Sequence, residues 1–208
     1  MVEIGKNSIV IIDTGVCNLT SVYQAIRRLT DEVIASDDPK VITQAEKVVL
    51  PGVGAAQSGM QSITNKALIE TIQQLTQPVL GICLGMQLLT QTSEESSNNS
   101  PVKGLGLIPT KIEHLETQGQ PLPHMGWNQL SNMKHPIFDG IANNAFVYFV
   151  HSYGAPISDY TIASSDYGNK FSAAIAKDNF IGLQFHPEKS GKTGEAILNN
   201  FLNLRIEQ

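Results

Sequence analysis

Pro78-Val79-Leu80-Gly81-Ile82-Cys83-Leu84-Gly85 reads as a buried strand ending in a sharp turn, with a cysteine at the tip and a glycine two residues to either side. This is the layout of a nucleophile elbow, with sulfur in place of the serine oxygen. Small flanking residues let the backbone bend tightly enough to lift the nucleophile clear of the sheet. Met86-Gln87-Leu88-Leu89 begins a helix, so Cys83 stands at a helix N-terminus with unpaired N–H groups around it. A lone cysteine in an apolar strand is most often a buried structural residue. The paired glycines turn the reading toward a nucleophile.

Outward from this stretch, strand and helix alternate. Ser8 to Asp13 is a continuous apolar run, as expected of a strand covered on both faces. Residues 18–29 have helical spacing, with Leu19, Val22, Ala25, Ile26 and Leu29 on one side and Asn18 as N-cap. Residues 32–35 and 47–50 give short strands, the second broken by Pro51-Gly52, and residues 58–75 read as one helix leading to the elbow strand. The alternation predicts an α/β fold, a parallel sheet with helices on both faces. Beyond the polar loop at 93–101 the segments are shorter and β-rich: 110–114, 146–150, 161–164, 172–176 and 180–185. They predict a mostly parallel central sheet with an antiparallel β extension. A last amphipathic helix covers 193–204. No repeat or linker divides residues 1–208, so a single domain is expected.

A second feature lies far downstream, at Gly182-Leu183-Gln184-Phe185-His186-Pro187-Glu188. The apolar pattern marks a strand with His186 at its end. Pro187 keeps His186 out of helical geometry, so the tripeptide is expected to stay extended, with His186 and Glu188 facing one side. Alone, His-Pro-Glu reads as a surface turn. Together with an elbow cysteine it supplies a nucleophile, a base and a group that orients the base, so Cys83, His186 and Glu188 are predicted to form a catalytic triad. The mechanism also needs an oxyanion hole. Leu84 N–H is one candidate donor, and the loop Pro51-Gly52-Val53-Gly54, at the same sheet edge, is the candidate for the other. That loop lacks the rest of a dinucleotide fingerprint and of a Walker motif.

Bulk properties narrow the classes. The 208 residues are 41% apolar and 16% charged with a net charge of −5, the composition of a compact soluble protein. No basic cluster exceeds Arg27-Arg28, so no nucleic-acid surface is expected. Without a signal peptide or a bilayer-length apolar segment, a cytoplasmic protein without membrane contact is expected. The two cysteines, Cys17 and Cys83, cannot make a disulfide framework, and Cys17 is read as a small buried residue. The five histidines are not spaced with the cysteines as zinc ligands, so no metal and no cofactor are expected. His114, His124 and His135 are read as loop or surface residues, and His151, closing the apolar run 146–150, as structural.

Gly81-Ile82-Cys83-Leu84-Gly85-Met86-Gln87, His186-Pro187-Glu188 and Pro51-Gly52-Val53-Gly54 together resemble the class I glutamine amidotransferases, cysteine-triad glutaminases built on a Rossmann-like sheet. Pro123-His124-Met125-Gly126-Trp127-Asn128, His151-Ser152-Tyr153 and the continuation into Lys189-Ser190 resemble one branch of that family, the glutaminase subunits of imidazole glycerol phosphate synthases of histidine biosynthesis. The resemblance runs from residue 8 into the C-terminal helix. It implies that L-glutamine is hydrolysed to glutamate and ammonia by Cys83, His186 and Glu188, with Leu84, Gly52 and Val53 around the oxyanion. It also implies that Gly54, Gln87, Glu95, Ser152 and Tyr153 contact glutamine. The partner it implies is a (β/α)8-barrel cyclase subunit forming a heterodimer, with Trp127 and Lys189 as candidate interface residues. Where many relatives carry a glycine-rich stretch and an arginine, this chain has Val16-Cys17 and Thr20, so no interface role of that arginine transfers. From the residues alone, three other readings stay open: an amidotransferase serving another synthase, a stand-alone cysteine hydrolase, and a binding module that keeps the fold.

Overall fold

Ile9-Val10-Ile11-Ile12 form the first strand, β1 (Ile9–Ile12), and alternate residues along it face opposite ways. Ile9 and Ile11 enter one buried cluster, Val10 and Ile12 the other. A strand that feeds two cores has no polar face, which is why the run is continuously apolar. The computed structural model describes residues 8–15, 18–96 and 100–205. Val16 and Cys17, and with them the reading of Cys17 as buried, lie outside these residues, as do 97–99 of the polar loop.

In chain order there follow α1 (Leu19–Arg27), β2 (Val33–Ser36), α2 (Pro39–Gln44), β3 (Lys47–Gly52), α3 (Ala56–Asn65), α4 (Ile69–Gln73), β4 (Val79–Cys83) and α5 (Leu84–Leu88). The second half carries β5 (Thr90–Ser93), β6 (Val102–Lys103), β7 (Ile108–His114), β8 (His124–Gln129), β9 (Phe146–His151), β10 (Tyr153–Gly154), β11 (Thr161–Tyr167), β12 (Asn169–Lys177), β13 (Phe180–Leu183) and α6 (Gly191–Asn203). A seven-stranded sheet has the order β11-β12-β13-β4-β3-β1-β2. Its five strands from β13 to β2 run parallel, and β12 and β11 extend it antiparallel. Side chains of α1 and α6 pack in the cluster containing Ile9 and Ile11; those of α2 to α5 pack in the cluster containing Val10 and Ile12. The predicted α/β architecture, with helices on both faces and an antiparallel extension, is the one observed. A four-stranded sheet, β10-β7-β5-β6, and the antiparallel pair β8–β9 stand beside it.

Several boundaries differ from the sequence reading. The single helix expected over 58–75 is two, α3 and α4. Ala67 adopts φ 53°, Leu68 N–H reaches back to Ile63 O, and the turn buries Leu68 completely. This is a Schellman-type stop formed without glycine. Pro51-Gly52 does not break β3, which pairs with β4 through Pro51–Ile82 and Gly52–Cys83. The ladder to β1 ends at Val49, so the missing proline N–H falls where the strand has lost one neighbour. The strand expected over 180–185 ends at Leu183, and α2, β5, β6, β8 and β10 had no clear apolar signal.

Close approach, rather than turn geometry alone, explains the elbow glycines. A Cβ on Gly85 would fall deep inside contact distance of Leu50 O on β3, and one on Gly81 would sit 2.8 Å from the Gly85 carbonyl and Met86 N. Backbone therefore packs on backbone where β4 turns into α5. Gly85→Ala is expected to lower stability by about 3 kcal/mol as an overpacking change. Gly54→Ala, which meets nothing within 4 Å but sits at φ 91°, should cost about 1 kcal/mol. Urea denaturation of both variants tests the order; equal losses would contradict the backbone-contact account.

Candidate active site

Strands β3, β4 and β13 lie side by side and parallel, so the residues at and beyond their C-terminal ends converge. Cys83 closes β4 with φ 53° and ψ −110°, a backbone conformation that L-residues rarely adopt. The strain is held by the glycine contacts beneath it, and α5 starts at the next residue. His186 follows β13, the neighbour of β4. Its N–H donates to Tyr148 O of β9 and its carbonyl accepts from Ser190 Oγ at 2.6 Å, while Tyr148 N–H donates to that same Oγ. Ser190 thus ties the histidine backbone to β9.

The expected extended tripeptide is not what forms. His186 is extended, but Pro187–Lys189 make a 3-10 turn closed by Lys189 N–H on His186 O. Proline's fixed φ suits the first position of such a turn. The turn still brings the two side chains together, His186 Nδ1 to Glu188 Oε1 at 2.8 Å. Both are nearly inaccessible, and Glu188 Oε2 is buried without a hydrogen-bond partner among the described residues.

An open cavity of about 300 Å³ sits over the elbow. Its lining includes Cys83, Leu84 and His186, the loop residues Val53 and Gly54, and Gln87, Glu95, Ser152, Tyr153 and Lys189. Gly52 ends β3 outside the lining, yet a Cβ on it would meet Leu84 Cβ at 2.9 Å, so this loop borders the residue after the cysteine. Glu188 lies behind His186, and Trp127 lies away on β8, where it is 55% exposed and edge-on to Tyr148. A larger cleft of about 700 Å³, lined by Glu94, Glu113, His114 and Glu116 among others, contains none of the predicted site residues. Among the described residues no group of three or more His, Cys, Asp or Glu could hold a metal ion, and no helix is long and apolar enough to cross a membrane.

Burial alone would push the His186 imidazole toward neutrality. The Cys83 sulfur and the Glu188 carboxylate, the latter hydrogen-bonded to Nδ1, outweigh burial and raise it from 6.5 to about 10. The ring is therefore an imidazolium at neutral pH. Burial raises Glu95, whose Oε2 accepts Ala56 N–H at 3.1 Å.

His124 corrects the sequence reading. It is not a loop or surface residue but is buried on β8, stacked between Phe149 and Tyr167. Its Nδ1 meets His151 Nε2 at 2.9 Å, and His151 Nδ1 meets Tyr153 O at 2.9 Å. A carbonyl can only accept, so the proton order is fixed: His151 Nδ1–H to the carbonyl, His124 Nδ1–H to His151. With no carboxylate in reach, burial lowers His124 to about 4; burial, with the other histidines, lowers His151 to about 3. His114 is exposed at the end of β7, and His135 is half-buried, capping the turn Pro136–Phe138. Sequence reasoning also passed over Gln184, fully buried one residue past β13. Its signal was a polar residue inside the apolar run 180–185.

Two titrations follow from these contacts. In Cys83→Ala the His186 ring loses one of the two groups that keep it charged, so its NMR titration should move to lower pH than in the wild type; an unchanged titration would contradict the assigned cause. For His124 and His151 the folded pKa lies below the ordinary 6.5, so the unfolded chain binds protons that the folded one refuses. Stability is therefore lost as pH falls below about 6.5 toward 4. His124→Gln should flatten the fall in urea midpoint between about pH 7 and about pH 5.

Known proteins resemble this chain in sequence and in fold. A family profile described as "Glutamine amidotransferase class-I" matches residues 10–204. The imidazole glycerol phosphate synthase subunit HisH of Shewanella sediminis is 59% identical over 199 residues, covering 95% of this chain and 91% of that protein. The subunit of the same name from Shewanella loihica is 54% identical over 201 residues, covering 94% and 90%. Among solved structures, a putative GMP synthase component from Thermoplasma acidophilum superposes with a TM-score of 0.71 at 19% identity, over 94% of this chain and 92% of that one, a likeness of fold. With a family profile spanning nearly its whole length and relatives sharing more than half its residues, the chain belongs to the class-I glutamine amidotransferases, in the branch formed by the HisH subunits.

Proposed function

We propose that this chain is the glutaminase subunit of an imidazole glycerol phosphate synthase, hydrolysing L-glutamine and passing ammonia to a cyclase subunit. The observation that carries the reading is the imidazolium His186, braced by buried Glu188 beside a strained cysteine, at the floor of a cavity sized for an amino acid. Identity above half to HisH subunits supports the choice of synthase.

The chemistry runs through the chain's own groups. Cys83 Sγ attacks the side-chain amide carbon of glutamine, and the oxyanion forms toward Leu84 N–H and an N–H of the 52–54 loop. His186, already protonated, gives its proton to the departing nitrogen, and ammonia leaves behind a glutamyl thioester. Acylation ties up the sulfur that helped to hold the imidazole charged. The ring then takes a proton from water as it attacks the thioester, releasing glutamate. Glu188 keeps Nδ1 protonated throughout, so Nε2 is the reactive nitrogen. Gly54, Gln87, Glu95, Ser152 and Tyr153 contact the substrate.

The partner is a (β/α)8-barrel cyclase that uses the ammonia to make imidazole glycerol phosphate and an aminoimidazole carboxamide ribotide. Met125 and Trp127, on one face of β8, are 61% and 55% exposed, and exposed Lys189 rims the cavity. An exposed aromatic anchor suits a docking face, and Lys189 joins it to the cavity rim. The 52–54 loop supports control by that partner, since Val53 is 40% exposed and Gly54 has open space around its Cα. A cytoplasmic location fits this pathway.

The test is glutamate release from glutamine by the chain alone, with cyclase, and with cyclase plus its phosphoribulosyl ligand. Activation by cyclase and ligand, lost in Cys83→Ala, is the expected result. Equal rates in all three conditions would overturn the assignment of partner.

A further inference from the structure

A single file of buried polar groups runs from β8 to the Cys83 sulfur. Asn128 Nδ2 approaches His124 Nε2 at 3.2 Å, and His124 leads through His151 to Tyr153 O as described. Gln87 Nε2 donates to the same carbonyl at 3.1 Å and to Gln184 Oε1 at 3.1 Å. Gln184 Nε2 in turn lies 3.9 Å from Cys83 Sγ. The amide orientations are forced, because turning Gln87 over would set its oxygen against the Tyr153 carbonyl, which can only accept, and with Gln87 fixed Gln184 must turn its oxygen to Gln87. Both Nε2 hydrogens of Gln87 are therefore committed inward, and only its carbonyl oxygen is left to offer the cavity. Gln184, with 0% exposure, is sealed from bulk solvent.

We propose that Gln184 is a positioning residue for the reaction. Its amide oxygen holds the second Gln87 N–H beside the one held by Tyr153 O, so that Gln87 is fixed by two contacts and presents an acceptor to a donor group of the substrate, while the Gln184 N–H is directed at the nucleophilic sulfur. The kinetic part of this inference rests on the glutaminase reading above. Nothing in the elbow or in the His-Pro-Glu turn supplies either contact. A hydrophobic residue of the same length would fill the space but leave one Gln87 N–H buried and unpaired, with the amide held by Tyr153 O alone.

Two substitutions separate this role from simple packing. Gln184→Met removes both contacts. Gln184→Glu, charged or neutral, keeps an oxygen to accept from Gln87. In the complex with cyclase and its ligand, Gln184→Met should raise the KM for glutamine about tenfold, the loss of one buried hydrogen bond, and Gln184→Glu should restore it to within about threefold. If Gln184→Met does not fold, Gln184→Ser, which leaves room for a water, takes its place with the same expected order. A second readout needs no turnover: alkylation of Cys83 by iodoacetamide in the chain alone, followed by mass spectrometry of its peptide, should slow at least about threefold in Gln184→Met. KM values that rise equally in the Met and Glu variants, or in neither, would overturn the role toward Gln87. Unchanged alkylation would overturn the role toward sulfur. A wild-type complex that releases no glutamate counts against the glutaminase reading itself, and the alkylation rates still decide whether Gln184 acts on Cys83.

Discussion

Backbone contact between β3, β4 and the start of α5 is the constraint on which the rest depends. The elbow can hold Cys83 in its strained conformation only because Gly81 and Gly85 leave no side chain between the layers. Strain of this kind persists where the surroundings over-determine the backbone, and here the surroundings are the most buried strands of the sheet. The same approach sets the height of the cysteine relative to the loop after β3. Nucleophile and candidate oxyanion donors are therefore positioned by one packing event, not by separate loops.

Two pairs of buried side chains show how little burial alone decides about charge. His186 and His151 are both almost sealed from solvent, at 5% and 6% exposure, yet one is charged at neutral pH and the other is not. The difference is the company each keeps. His186 has a carboxylate on one nitrogen and the Cys83 sulfur as a second supporting group; His151 has a carbonyl and a second neutral imidazole. The charged ring is the one the proposed reaction uses, and the neutral pair holds the Tyr153 carbonyl in place. A charge on His124 or His151 would disturb the proton order that keeps that carbonyl accepting.

The parallel sheet and the elbow were legible because both rest on local rules. Continuous apolar runs mark strands buried on two faces, and glycines two residues either side of a cysteine mark a tight turn. What was misread came from interactions distant in sequence. The break at Ala67 exists to bury Leu68 and has no glycine to announce it. The His124–His151 pair needs β8 and β9 to align His124 opposite His151, a register that no short window reveals. Gln184 carried a readable sign, a polar residue in an apolar strand, but its meaning lies in Gln87 and Cys83, ninety-seven and 101 residues away in sequence.

The position of β13 bears on how the protein is made. It is the last strand in sequence, yet it lies inside the sheet, between β4 and β12. Until β13 is synthesised, one edge of β4 has no partner, and the cysteine strand borders an open edge of the sheet. Closing that gap requires contacts spanning about a hundred residues, the kind that form late and slowly. Insertion of β13 also delivers His186 and Glu188, so the chain must be made past Glu188 before the thiol gains these neighbours. Completion of the sheet and assembly of the candidate triad are then a single event.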